Sequence, residues 1–308
     1  MTITKRFGKA TAWKASAVAG VLVLTLAGCG QSGSPTSDEA ESEGGGEAPT
    51  YTLAEDFSLE GSPTWDTITE NGTIRIGMAF DAPGLSYKGT TDDVPAGYNA
   101  EVAKVIVAGL GLEEDQIEYV ESVTANREPF LQNGQVDMVV SSYTINDERK
   151  QVVDFAGPYF TAGQDLLVPD DSDITSSDDL AGKSVCATVG STPAQNIEAN
   201  FPDTELVTYD GNSKCFQDLQ SGNIDAMTTD DIVLRGFAAT DEGYHVIGET
   251  FTDEPYGVGL PKGDDVFRDA VNDILEAGAE GGNGDLLAAW EYSFGGPDGY
   301  QDPEVDRY

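Results

Sequence analysis

The stretch Thr124-Ala125-Asn126-Arg127-Glu128-Pro129-Phe130-Leu131-Gln132-Asn133-Gly134-Gln135-Val136-Asp137-Met138-Val139-Val140-Ser141-Ser142 carries one complete unit of the fold. Thr124 is placed to cap a helix that runs to Gln132, where Asn133-Gly134 closes it, and residues 136–142 follow as an apolar strand. The same alternation extends outward. Upstream, residues 73–80 read as a strand, 101–110 as a helix with Val102, Val105, Ile106 and Leu110 on one side, and 117–123 as a strand. Downstream come a helix containing Arg149 and Lys150 and a strand over 183–189. That strand enters a helix at Thr192-Pro193, with proline at the favoured first position. A strand at 206–209, a helix at 213–219 and a strand at 225–228 continue the series. Short strands alternating with helices predict an α/β fold with mostly parallel sheets.

Sheets of this kind bind ligands at the carboxyl ends of their strands, where helix N-termini present free N–H groups. Three polar strand-to-helix turns stand out: Thr124-Ala125-Asn126-Arg127, Ser142-Tyr143-Thr144 with Arg149 five residues on, and Gly190-Ser191-Thr192. Two arginines just beyond strand ends invite a carboxylate, which guanidinium grips in a bidentate fork. The competing reading pairs each arginine with a surface acid.

Acids are plentiful. The 308 residues hold 55 acidic and 16 basic side chains, a formal charge of −39. That excess argues against nucleic acid or any partner bound through phosphates. A single histidine and three cysteines exclude an ordinary zinc site. No cofactor is expected.

Charge is also unevenly placed. Residues 1–28 carry Lys5, Arg6, Lys9 and Lys14 and no acid. An apolar run over 15–27 follows these cations, too short for a permanent span and right for a secretion signal. It ends in Leu26-Ala27-Gly28-Cys29, similar to a bacterial lipoprotein processing box that leaves Cys29 lipidated. The expected organisation is therefore a signal peptide over 1–28 and a flexible acidic tether over 29–65, rich in Gly, Ser, Pro and Glu. A disordered tail is expected over 295–308. With Cys29 assigned to lipid, an exported chain leaves Cys186 and Cys215 either as one disulfide or as two separate buried thiols.

The run from Arg127 to Asp137, then Thr144-Ile145-Asn146-Asp147-Glu148-Arg149, Val153-Asp154-Phe155 and Pro158-Tyr159, resembles family 3 extracellular solute-binding proteins of ABC amino-acid importers. So do Gly190-Ser191-Thr192, Gly222-Asn223-Ile224-Asp225-Ala226 with Asp230, and Glu254-Pro255-Tyr256-Gly257. The likeness is nearest to the glutamate-binding lipoproteins of Gram-positive uptake systems, which Cys186, Cys215 and Ser191-Thr192-Pro193-Ala194-Gln195 also match. The resemblance implies a periplasmic-binding-protein-like type II fold. In it two α/β lobes, 66–160 with 258–294 and 161–257, are joined by two crossover strands with the ligand cleft between them. It implies that Arg149 takes an α-carboxylate, helped by Thr144, Ser142, Thr192 and Ser191, while Asp230 takes the α-ammonium. Arg127 would meet an acidic side chain, and Phe80, Asp81 and Tyr143 would line the cleft. The partners implied are L-glutamate or a related acidic amino acid and an ABC permease, for a monomer held by lipid on the extracellular face of the cell membrane.

Other signals are weaker. Gly182-Lys183-Ser184 resembles the end of a phosphate loop, but position 177 is serine and a strand follows. The acidic run from Asp170 to Asp179 lacks the glycine and terminal glutamate of a calcium loop. His245 stands alone, and no nucleophile elbow is present. The alternatives to glutamate capture are a binder of glutamine or another polar amino acid, an exported dehydratase-like enzyme of the same fold, or a sensor domain.

Overall fold

The computed structural model describes residues 48–308. The signal segment, Cys29 and the first part of the tether lie outside the described residues. Ser62 caps α1 (Pro63–Asn71) by accepting from Trp65 N–H, and β1 (Ile74–Met78), β2 (Asp81–Ala82) and β3 (Ser86–Tyr87) follow. Next come α2 (Tyr98–Gly109), β4 (Ile117–Glu121), α3 (Arg127–Gln132), β5 (Met138–Thr144) and β6 (Asp154–Ala162). Val102, Val105, Ile106 and Leu110 are all buried, as their spacing requires.

The chain then crosses through Gly163 into β7 (Gln164–Pro169), β8 (Ser184–Thr188), α4 (Thr192–Asn200), β9 (Glu205–Tyr209) and α5 (Asn212–Gln220). It continues through β10 (Ala226–Asp230), α6 (Asp231–Ala238) and β11 (Tyr244–Val246). It returns in β12 (Glu254–Leu260) and ends with α7 (Asp265–Gly278) and α8 (Asp285–Phe294).

Two five-stranded sheets result, ordered β4-β1-β5-β12-β6 and β11-β7-β10-β8-β9. Each defines one lobe of a type II periplasmic-binding-protein fold. All of β12 pairs within the first sheet, so the lobe boundaries fall at Gly163 and just before Glu254 rather than at 161 and 257. The sheets are mixed, not mostly parallel. The strands next to each crossover, β6 and β12 in one lobe and β7 and β11 in the other, run antiparallel to their neighbours. A strand that leaves or enters a lobe has no crossover helix to turn it parallel.

Local expectations shift in four places. Thr124 opens a short 3-10 turn, with Val123 at the N-cap and no side-chain cap, and α3 begins only at Arg127. Arg149 and Lys150 occupy one 3-10 turn rather than a helix. The last part of the tether is packed: Tyr51 Oη donates to Glu101, and Phe57 meets Trp65 edge-on at 5.0 Å. The tail is fastened too. Gln301 bonds both the N–H and the C=O of Thr161, Asp306 N–H donates to Gly157 O, and Tyr308 Oη accepts from Phe155 N–H. Both segments look solvated by composition, but Tyr51, Phe57 and Tyr300 pack against the apolar core of lobe 1.

Candidate functional site

The carboxyl ends of β1, β4, β5, β8 and β10 converge on a narrow cavity, partly open to solvent. Of the expected residues, Arg127, Ser142, Thr144, Ser191, Thr192 and Asp230 line it. Arg149, Tyr143, Phe80 and Asp81 do not.

Ser142 sits inside β5 with φ +46°, where only glycine is at ease. The pairing of β5 with β12 shifts register at this point. Such a bulge bends the strand end and re-aims its side chains toward the cleft. Ser142 Oγ accepts from Asn99 Nδ2, whose Oδ1 accepts from Tyr159 Oη at 2.8 Å. Below the bulge, Tyr143 is fully buried against Phe155. It floors the arginines instead of facing the cleft, with Arg127 4.2 Å and Arg149 5.0 Å from its ring centre.

The two arginines differ in their partners. Arg149 Nε lies 3.3 Å from a Glu128 oxygen, Nη1 donates to Thr144 O at 2.7 Å, and Nη2 reaches across the cleft to Gly190 O at 3.2 Å. Each terminal nitrogen keeps a second N–H. Arg127 is 4 % exposed and donates only to carbonyls, at Thr124, Ser141 and Ser142. No carboxylate lies within 4.0 Å of it among the described residues. Burial and the neighbouring Arg149 lower its pKa to about 10, so it remains a cation at neutral pH.

Asp230 closes β10 opposite. Its Oδ2 accepts from Tyr256 Oη at 2.6 Å, while Oδ1 is buried without a partner among the described residues. Burial, reinforced by Glu254, raises its pKa to about 7. Thr192 Oγ1 donates to Glu254 at 2.6 Å and stands 3.3 Å from Thr144 Oγ1. Ser191 is the N-cap of α4, donating to Thr188 O and accepting from Ala194 N–H. Asp81 accepts from Ser213 N–H across the cleft, and Phe80 has the Lys88 ammonium 5.3 Å from its ring centre.

Sequence reasoning missed Ser86 and Asn212, which also line the cavity, each with a buried oxygen lacking a partner. The usable signal for Asn212 was Gly211-Asn212 after a strand, the pattern of a polar helix start. Cys186 and Cys215 form a disulfide that ties β8 to α5, with Cα atoms 5.5 Å apart. Among the described residues no acid, histidine and cysteine cluster could hold a metal, and no helix is long and apolar enough to cross a membrane.

Two α/β lobes enclose a cleft lined by the buried Arg127 on one side and Asp230 on the other. The chain belongs to the bacterial extracellular solute-binding proteins, family 3, whose model matches residues 74–290. The family and the relatives of this chain are non-enzymatic solute-binding proteins, and one relative, 34% identical over 255 residues, is the ABC transporter glutamine-binding protein GlnH of Bacillus subtilis, covering 82% of this chain and 87% of that protein. The chain is 41% identical over 219 residues to the glutamate-binding protein GluB of Corynebacterium glutamicum, covering 67% of this chain and 74% of that protein. A glutamine-binding protein of Geobacillus stearothermophilus is 36% identical over 252 residues, covering 81% and 92%. An ancestral arginine-binding protein bound to glutamine has the same fold at TM-score 0.68 and 33% identity, covering 73% of this chain and 98% of that one.

Proposed function

We propose that this protein captures an acidic amino acid, L-glutamate or aspartate, by closing its two lobes, and delivers it to an ABC permease. It does so from the extracellular face of the membrane, anchored through lipid on Cys29. The observation that carries the ligand reading is a mismatch of charge inside the cavity. Among the described residues, Arg127 is a buried cation whose hydrogen-bond partners are all neutral carbonyls, and Asp230 Oδ1 is a buried acceptor with no donor. A buried unpaired charge is costly, so the site calls for a ligand carrying carboxylate and ammonium together.

Arg149 stands outside the cavity lining and borders it through its bond to the carbonyl of Thr144, which does line it; from there its remaining N–H groups, with Thr144 and Thr192, take the α-carboxylate. Asp230 takes the ammonium and Arg127 the side-chain carboxylate. Glutamate-binding relatives support this reading, and glutamine-binding relatives make glutamine the alternative. Calorimetry of the globular part against the common amino acids tests it. Tightest binding of glutamate or aspartate is expected; a preference for neutral or basic amino acids sinks it. Palmitate labelling of cells expressing the full chain, with Cys29→Ala as control, tests the anchor: label is expected on the parent alone.

A further inference from the structure

The cavity holds an acceptor left unused by the assignment above. Asn212 opens α5, lines the cavity and keeps its Oδ1 buried without a partner. The order of the second sheet sets its distance from the ammonium site. α5 follows β9, which lies two strands from β10 and its terminal Asp230, roughly 9–10 Å at ordinary strand spacing. Asn212 therefore faces the far end of an amino acid whose ammonium sits on Asp230.

Its position is held from both lobes. The Cys186–Cys215 disulfide ties α5 to its own sheet one turn further on. The N-cap, Gly211, has no side chain to cap the helix, and Asp81 of the other lobe caps it instead, accepting from Ser213 N–H at 3.0 Å. A Cβ at position 211 would stand 2.6 Å from that same Asp81 oxygen, so glycine leaves room for the contact. This capping bond exists only when the lobes are together.

We infer that Asn212 is a specificity-determining residue that reads the side-chain terminus of the bound amino acid, with Asp81 as its positioning residue. The inference rests on the amino-acid reading of the cavity. An amide can turn to give N–H to a carboxylate or pair both ways with another amide; an aspartate there offers acceptors alone. Asn212→Asp should thus repel a glutamate terminus and still accept from the glutamine amide.

The test titrates glutamate and glutamine into parent, Asn212→Asp, Asn212→Ser and Asp81→Asn proteins by calorimetry. Asn212→Asp is expected to lose at least about tenfold more affinity for glutamate than for glutamine. Asp81→Asn is expected to weaken both ligands and to shift their ratio in the same direction as Asn212→Ser, by a smaller factor; an unchanged ratio makes Asp81 a closing contact only. An Asn212→Asp ratio equal to the parent's, in protein with native circular dichroism, overturns the assignment. If that variant does not fold, an unchanged ratio in Asn212→Ser overturns it as well. Full-strength binding by Asp81→Asn removes the positioning role. The parent's own ranking of the two ligands judges the acidic-ligand reading separately, since the shift in ratio is measured against the parent whichever ligand it prefers.

Discussion

At the scale of single residues, the site is a small electrostatic argument among Arg127, Arg149 and Asp230. Arg149 already has Glu128 beside it, whereas Arg127 has no anion within 4.0 Å among the described residues. Removing the arginine from a desolvated carboxylate costs roughly 3–5 kcal/mol, on the order of 10²–10⁴-fold in affinity. Arg127→Ala should therefore cut glutamate binding by that factor and glutamine binding far less, while Arg149→Ala weakens both. The reverse pattern in calorimetry would exchange the two roles. Asp230 makes a pH prediction. Its pKa rises from 3.8 to about 7 on folding, so between those values the folded state holds a proton that the unfolded state has lost. Stability contributed at this residue therefore falls as pH rises from about 4 to 7 and stays low above. Asp230→Asn cannot ionise. It should melt higher than the parent at pH 8 by a few degrees, with the advantage gone at pH 4, while binding no amino acid. Equal melting differences at both pH values would falsify this. An ammonium on Oδ1 favours the charged form, so affinity in the parent should climb with pH through about 7.

Among elements, α6 shows how closely the lobes meet. Gly236 lies in the middle of this helix, and a Cβ there would stand 2.1 Å from Pro83 O on the other lobe. Alanine is the better helix former by about 1 kcal/mol, so Gly236→Ala does no harm to lobe 2 itself. It should instead hold the lobes apart. The expected result is an unchanged or raised melting temperature with glutamate affinity lowered at least tenfold; parent-like affinity would show that the contact can shift aside. The disulfide acts on a neighbouring element. Replacing both Cys186 and Cys215 by serine should lower stability by roughly 2–4 kcal/mol, read by urea unfolding, because it frees a loop with a sequence separation of 29. A loss of less than half that range would place the anchoring of α5 in its packing rather than in the covalent link.

For the whole molecule, closure is written into contacts that exist only between lobes: Asp81 with Ser213, Arg149 with Gly190, Thr144 with Thr192. A ligand gripped by Arg149 on one side and Asp230 on the other favours the closed state by its differential contacts alone. Small-angle scattering should show a smaller radius of gyration at saturating glutamate in the parent and no change in Gly236→Ala. A parent that binds glutamate without compaction argues against the trap. The C-terminal strap belongs to this scale as well. It runs along β6, the edge of the first sheet, and ends where Tyr308 lies between Lys150 and Arg268.

How much of this was legible in the chain follows from the range of the forces involved. Alternating strands and helices, the buried side of α2, the proline-led start of α4 and the motifs around Arg127, Arg149 and Asp230 depend on local spacing. They determine the fold class and, in Arg127 and Asp230, two of the residues that line the cleft. Tertiary structure decided what spacing cannot carry. Tyr143 lies in a polar turn by sequence, but the bulge at Ser142 turns it under the arginines, and that bulge depends on pairing with β12 more than a hundred residues away. Asp81 reads as a ligand contact and becomes a cap for a helix of the other lobe. Asn212 reads as an ordinary helix start until the lobes close over it. The tail reads as solvated until Tyr300, Val305 and Tyr308 meet lobe 1. In each case the deciding partner lies on another lobe or a distant strand, so local composition holds no trace of it; sequence determined the parts, and only the meeting of two lobes decided what each part faces.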